Sequence, residues 1–406
     1  MILTIVFMGI AMIGLAGCLL QLMAVRAYTA TPRCGEGDSL PRTFPPVSIL
    51  KPLKGLDDSL FDNLESFCNL DYPKYEIIFA LQNRNDPAWK VVRKIKDKYP
   101  LLDITIAVEY CEEGLNPKVK NLIPAYARAK YDLILVSDSN VRVEKAYLSS
   151  ITGHMADPAV GLVSNMIRGV GGRSAGAVLE NLHLNSFIVG SVCFLDKYLG
   201  MPCVIGKSML MRRTDLDAIG GFRAVRDFLA EDYIIGKRIH DLGRKVVLSG
   251  HLINNVNEYW GIRRFLNRHT RWARLRWHIG GARYLSELAG NAVFMSFVPL
   301  LISPASKMAA FFAAAVSSFK VAHDYYIGRK LRTGMNPLFY LVSPLKDLVI
   351  GLTWFVPVVS NTVAWRDNRY IIGRDSLLSP CHETGPAARW PGIISAIRSR
   401  LAWSKP

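Results

Sequence analysis

Paired cysteines are missing from this 406-residue chain. Its seven cysteines, Cys18, Cys34, Cys68, Cys111, Cys193, Cys203 and Cys381, are odd in number, and no two stand at metal-ligand spacing. A structural zinc site needs four clustered ligands, so the pattern argues against one and for reduced thiols in a cytosol-facing protein. A phosphate-binding P-loop is missing too. Gly206-Lys207-Ser208 imitates its end, but the preceding Gly200 lies one residue too far upstream. Acidic residues are in short supply, 33 against 50 basic ones, giving a formal charge of +17 and a pI of about 9.6. Nucleic acid, an anionic membrane face or a phosphorylated substrate would each suit that balance. The composition is 50% hydrophobic and 20% charged, which excludes a disordered chain. The length suits one large domain with extra elements, or two domains.

Charge is absent from residues 2–25, which run ILTIVFMGIAMIGLAGCLLQLMAV before Arg26. A signal peptide needs a basic start and a shorter apolar core, and neither is found. The run is long enough to cross a hydrocarbon layer of about 30 Å, so residues 1–26 read as an uncleaved anchor. Arg26, Arg33 and the basic body that follows place the middle of the chain in the cytoplasm by the positive-inside rule (an inner membrane if the source is bacterial). The mean hydropathy of +0.18 owes its excess to the two ends. Near the second end, 291–319 is apolar but broken by Pro299, Pro304 and Lys307, and suits a tight hairpin or one kinked helix. Residues 338–360 contain Pro344, Lys346, Asp347 and Pro357, charges that fit an interfacial or protein-packed segment. The expected organisation is an anchor (1–26), a catalytic domain (45–285), membrane-associated segments (290–362) and a tail (363–406).

Between the ends, short apolar runs alternate with helical periodicity. Pro46–Leu50, Tyr75–Leu81, Asp103–Val108, Asp132–Val136 and Val160–Ser164 read as strands, and 89–99, 117–129 and 145–155 as helices. That alternation predicts an α/β domain with a mostly parallel sheet covered on both faces. Ligands of such sheets bind at the carboxyl ends of the strands. Lys51, Asp86 and Asp138 all fall just past such ends.

Each of these residues has an ordinary reading beside a chemical one. Asp138 in Ser137-Asp138-Ser139-Asn140 can hold Mg²⁺ or Mn²⁺ on a diphosphate, or cap the next helix. Asp86-Pro87 is an ordinary helix start, or a contact to a nucleotide. Glu231-Asp232 opens a helix and suits its dipole, or supplies a general base. Lys118 at a helix start can meet phosphate or stay solvated. Arg264, Arg268, Arg271 and Arg274 at helical spacing, with Trp272 and Trp277, suit phosphate and sugar or lipid recognition, or an anionic membrane face. A nucleic-acid partner fits poorly, because an apolar segment follows at once. The apolar stretch 186–205 suits either a lipid access path or a buried helix.

Taken together, ordered motifs carry a resemblance. They are Leu50-Lys51-Pro52-Leu53-Lys54-Gly55, Asn63–Phe67, Leu70–Glu76, Asn116–Leu122, Tyr131–Ile134, Asp138-Ser139, Gly220-Gly221-Phe222, Ala230-Glu231-Asp232-Tyr233 and Arg268–Trp272. From about residue 45 to 280 the chain resembles membrane-bound inverting glycosyltransferases of GT-A fold, most closely the ceramide glucosyltransferase family. The resemblance implies a GT-A domain, a UDP-sugar donor, a ceramide-like lipid acceptor and Mg²⁺ or Mn²⁺. It implies Asp86 at the nucleotide, Asp138 on the metal and Asp232 as catalytic base. Lys51 and Lys118 are then expected near the nucleotide, and Arg268, Arg271 and Trp272 at the acceptor and diphosphate. Asn140 departs from the acid or glycine common at its position, leaving Asp138 with less carboxylate help. Transfer of N-acetylglucosamine to a hopanoid-type lipid, a processive polysaccharide synthase and a non-catalytic sugar-nucleotide-binding protein are the competing expectations.

Overall fold

A computed structural model describes residues 2–30, 44–201, 203–365 and 368–381. Arg33, Cys34 and the tail from 382 onward lie outside the described residues. The chain begins with helix α1 (Ile2–Ala30) and then builds the first half of a sheet: β1 (Val47–Pro52), α2 (Leu60–Cys68), β2 (Tyr75–Leu81), α3 (Ala88–Lys98), β3 (Ile104–Val108), α4 (Pro117–Arg128) and β4 (Leu133–Ser137). The second half comprises β5 (Val141–Arg142), α5 (Tyr147–Thr152), β6 (Val160–Val170), α6 (Ala175–His183), α7 (Val189–Leu199), β7 (Ser208–Arg212), α8 (Arg213–Ala218), α9 (Glu231–Asp241) and β8 (Lys245–Val256). Helices α10 (Ile262–Gly280), α11 (Tyr284–Gly290), α12 (Ala292–Ile302), α13 (Lys307–Lys330), α14 (Ser343–Thr353) and α15 (Val356–Val359) follow. A small sheet of β9 (Thr362–Trp365), β10 (Asn368–Ile372) and β11 (Leu378–Pro380) closes the described chain.

The eight strands of the main sheet lie in the order β3-β2-β1-β4-β7-β6-β8-β5. β3, β2, β1 and β4 are parallel, as the unbroken apolar runs predict. The other half corrects the expectation of a mostly parallel sheet, because β7 runs antiparallel to both β4 and β6. Side chains alternate between two cores. Ile49, Ile77, Phe79 and Leu135 meet Leu64, Phe67, Val92 and Tyr147 on one face. Leu50, Ile78, Ala80 and Val136 meet Leu122 of α4 and Ile235 and Ile239 of α9 on the other. Glu76 is wholly buried within β2: its Oε1 accepts from Ser48 Oγ (2.7 Å) and the Lys130 N–H (2.6 Å), and the Lys130 amine lies 3.5 Å from Oε2. This is an α/β domain, as expected from the sequence, with apolar helices before and after it.

Three helical stretches among the described residues are long and apolar enough to cross a membrane: Ile2–Ala30, Ala175–Leu199 and Pro337–Val359. Ile262–Gly290 and Ala292–Ile302, bent by 71°, make a further candidate if taken as one span. α1 packs on α7, α11, α12 and α13 while turning Ile2, Leu3, Ile5, Met12 and Ile13 outward. In Ala175–Leu199, 61% of the apolar window is buried, so this stretch forms the inside of the bundle. The charges within the late apolar segments turn inward: Lys346 meets Asp347 (2.9 Å) and Asp324 (3.3 Å).

Candidate active site

The antiparallel placement of β7 explains where the site forms. Ser137, the last residue of β4, pairs with Ser208, the first of β7. Asp138 therefore leaves the sheet beside Lys207. Two lysines reach its carboxylate, Lys118 Nζ at Oδ1 (2.8 Å) and Lys207 Nζ at Oδ2 (2.8 Å). Burial works to raise the Asp138 pKa, but the lysines outweigh it and hold the carboxyl well below its usual range. Lys51 supports the same turn from below. Its wholly buried amine donates to the Asp138 carbonyl (2.7 Å) and Ser137 Oγ (3.2 Å), and sits 3.7 Å from the Phe67 ring centre. Burial pushes that amine well below the ordinary lysine value, against the pull of Asp138.

Lys118 is placed by a helix start built for it. Asn116 caps α4, accepting from the Lys118 N–H (2.8 Å) and the Val119 N–H (3.2 Å), and Pro117 begins the helix. The Lys118 amine also reaches Glu231 Oε1 (2.9 Å) and the Gly206 carbonyl (3.0 Å). Burial opposes its charge, yet Asp138, Glu231 and Asp232 together raise its pKa above the ordinary lysine value.

Asp232 stands in the first turn of α9. Its Oδ2 accepts from the Gly206 N–H (2.8 Å) and its Oδ1 from the Tyr233 N–H (2.8 Å). Burial and the neighbouring Glu231 push its pKa up to about 6, although Lys118 and the two amides pull the other way. A carboxylate in that range is ionised at neutral pH and basic enough to accept a proton from a reacting hydroxyl. Asp138, Lys118 and Asp232, far apart in sequence, thus share one cluster.

The other expected residues surround this cluster or lie beyond it. Asp86 accepts from the Gly55 N–H through both oxygens (3.0 and 3.1 Å) and from the Ala88 N–H (2.9 Å). It ties the loop after β1 to the start of α3. Arg268 pairs with Glu180 (3.1 Å), a wholly buried acid that also contacts His269 (2.9 Å), and stacks over Trp260 and Trp272. Arg271, on the same helix, lies over Trp365 of the small sheet. Trp272 is half-buried against the core and meets His269 edge-on.

Lys207 is a functional candidate whose only local signal in the sequence is an incomplete P-loop ending. It also donates to Asn140 Oδ1 (2.8 Å), so Asn140 holds the second lysine where a further acid was anticipated. Burial and repulsion from Arg268 lower its pKa, with Asp138 opposing. No local pattern could have found it, because its place depends on the pairing of β7 with β4.

Among the described residues, no three histidine, cysteine or acidic side chains gather as a ready-made metal cage. The oxygen chemistry nonetheless fits a hard cation that completes its shell with diphosphate and water, since Mg²⁺ commonly takes only one or two carboxylates. Lys118 faces Asp138, Glu231 and Asp232, and Asp138 also pairs with Lys207, so the carboxylate oxygens are gathered within one cluster. Asp138 is the acid placed at the strand end where such a cation would be held.

The profile of glycosyl transferase family 21 matches residues 6–378. Ceramide glucosyltransferase 3 of Caenorhabditis elegans is 29% identical over 335 residues, spanning 80% of this chain and 72% of its own. Ceramide glucosyltransferase 1 of the same animal is 27% identical over 381 residues, spanning 89% and 80%. Among solved structures, the mannosyltransferase PcManGT of Pyrobaculum calidifontis, in complex with GDP-Man and Mn²⁺, is 16% identical with a TM-score of 0.49. The alignment covers 86% of this chain and 99% of that one. The chain belongs to glycosyl transferase family 21, and it is a glycosyltransferase.

Proposed function

We propose that this member of glycosyl transferase family 21 transfers glucose from UDP-glucose to the primary hydroxyl of ceramide or a similar membrane lipid, with inversion. The observation that carries this reading is Asp232. It is a buried carboxylate with its pKa near 6, sharing one cluster with two lysines suited to a diphosphate, in a chain whose flanking helices are apolar. The curated relatives named ceramide glucosyltransferase support the choice of sugar and lipid.

Lys118 and Lys207 bind the diphosphate in this reading, exchanging Asp138 for phosphate oxygens. Asp86 and the Gly55 loop that it holds contact the nucleotide, and Lys51 keeps Asp138 in position from beneath. Mg²⁺ or Mn²⁺, held by Asp138, would neutralise diphosphate charge when bound. Asp232 takes the proton from the acceptor hydroxyl. The hydroxyl oxygen forms the new bond to the anomeric carbon from the face opposite UDP. The bond from that carbon to the diphosphate breaks, and its electron pair leaves with UDP. Lys118 and Lys207 stabilise that developing charge, while Arg268, Arg271 and Trp272 serve the acceptor side. Residues 45–285 form the catalytic domain, on the cytoplasmic face by the positive-inside rule, with 1–26 and 290–362 as its membrane segments.

Purified protein incubated with a panel of UDP-sugars and lipid acceptors, with products read by mass spectrometry, tests the reading. Hexosyl-ceramide from UDP-glucose is expected. N-acetylhexosamine on a hopanoid-type lipid would replace the proposed substrates, and absence of any product would remove the transfer reaction. Asp232→Asn is expected to stop turnover, and unchanged turnover would remove the assigned base.

A further inference from the structure

Inside the helical bundle lies a small cavity of about 50 Å³ with mixed polar and apolar walls, between α1, the helix containing His183, the α11–α12 junction, α13 and α14. Its wall includes Gln21, His183, Arg276, Glu287, Lys320 and Asp347. Polar linings inside an apolar bundle are expensive, and they mark sites of function. Almost all of these groups are satisfied within the chain. Gln21 donates to Ser191 (3.2 Å), Arg276 pairs with Glu287 (2.7 Å), and Lys320 pairs with Asp324 (2.5 Å) and Asp347 (3.6 Å). His183 is the exception. It is 1% exposed, and neither ring nitrogen has a hydrogen-bond partner among the described residues. A buried imidazole left in that state is costly unless something else pairs with it.

Two further features point the same way. The turn that follows His183, Leu184–Ile188, is a π-helix, an irregularity that often accompanies functional positions. The His183 ring also touches the expected acceptor side of the catalytic site. Its centre lies 4.5 Å from that of His269 and 6.4 Å from that of Trp272, and Glu180, one turn earlier, holds Arg268.

The chemistry of the wall selects the ligand. Its cations already face carboxylates, so no spare positive charge waits for a phosphate headgroup. Neutral imidazole offers one donor and one acceptor, the complement of an amide with its own C=O and N–H. The space holds about three or four water-sized groups, enough for an amide. We propose that this cavity receives the amide of the lipid acceptor and that His183 is its hydrogen-bonding partner, an assignment that rests on the proposed ceramide-type substrate.

Binding decides it without requiring turnover. A fluorescent ceramide is titrated into the full chain in detergent micelles, using the wild type, His183→Leu and His183→Gln. Monodisperse elution and circular dichroism verify folding. His183→Leu is expected to weaken ceramide binding by tenfold or more. His183→Gln, which keeps a donor and an acceptor, should stay within a few-fold of wild type. Ceramide methylated at the amide nitrogen should bind the wild type about tenfold more weakly, whereas ceramide lacking its secondary hydroxyl should bind normally. Unchanged binding by His183→Leu would overturn the assignment, as would equal binding of the methylated lipid or a loss confined to the deoxy lipid. The methylated-lipid comparison uses wild type alone and decides even if His183→Leu does not fold. If ceramide binds in this manner but receives no sugar, the pocket stands and the proposed reaction falls.

Discussion

Gly206 donates its backbone N–H to Asp232 Oδ2 at 2.8 Å, and a β-carbon built on Gly206 would come within 2.6 Å of that same oxygen. The close approach of backbone to carboxylate requires a residue without a side chain. Gly206→Ala should push the Asp232 carboxylate off its amide. We expect kcat to fall by about 10²-fold, as misplacement by about an ångström does, with UDP affinity changed only a few-fold. Steady-state kinetics alongside UDP titration checks this. Wild-type kcat in the alanine variant would show that the contact does not position the base.

The raised pKa of Asp232, with Asp232 as the proposed base, predicts a pH limb. A base must be deprotonated to act, so activity is expected to hold above about pH 6 and to decline about tenfold per unit below it. An aspartate at its ordinary value near 3.9 would carry the limb about two units lower. Glu231 is one cause of the rise, so Glu231→Gln should move the limb to lower pH even if it reduces the maximal rate through Lys118. A profile of kcat/KM between pH 4.5 and 8.5 for both proteins is the test. A limb that stays in place on removing Glu231 would assign it to another group.

Asp138 was legible because DLILV followed by Ser-Asp marks a strand end, where ligands of α/β sheets bind. Lys118 was half legible: Asn116 and Pro117 announce a helix start, but nothing local tells a solvated lysine from one facing two acids. Lys51 reads as a strand-end residue near a ligand, and only the fold shows it within β1, buried over Phe67 and beneath the Asp138 turn. Lys207 was invisible for a different reason. Its position follows from the antiparallel Ser137–Ser208 register, a pairing across about seventy residues that periodicity cannot detect. The same missed pairing made the sheet look mostly parallel.

Removing Lys207 should separate its two effects. Lys207→Met takes a cation from the proposed diphosphate site and frees Asp138 Oδ2. A charge-assisted contact of this kind is worth about 1.5–3 kcal/mol, so the donor KM should rise by about 10- to 100-fold. With its competitor gone, Asp138 should bind a divalent cation more tightly, lowering the Mg²⁺ or Mn²⁺ concentration needed for half-maximal rate. Chelation should depress the wild type, with recovery on adding either ion. A rate indifferent to chelator in both proteins would dismiss the metal and leave the lysines alone in that role.

Arg268 and Glu180 give the last prediction, on stability rather than rate. Glu180 is wholly buried and is held by Arg268 (3.1 Å) and His269 (2.9 Å). Arg268→Ala removes the arginine charge nearest that carboxylate, leaving His269 in contact and Lys207 farther off. Breaking a buried pair from one side costs about 3–5 kcal/mol, more than most surface changes. The neutral partner Glu180→Gln should cost less, and the double variant should recover part of the arginine loss, because no stranded charge remains. Thermal melts of the three proteins in one detergent measure this. Additive losses would mean that the two side chains are energetically independent, and that Arg268 is held by its stacking on Trp260 and Trp272 instead.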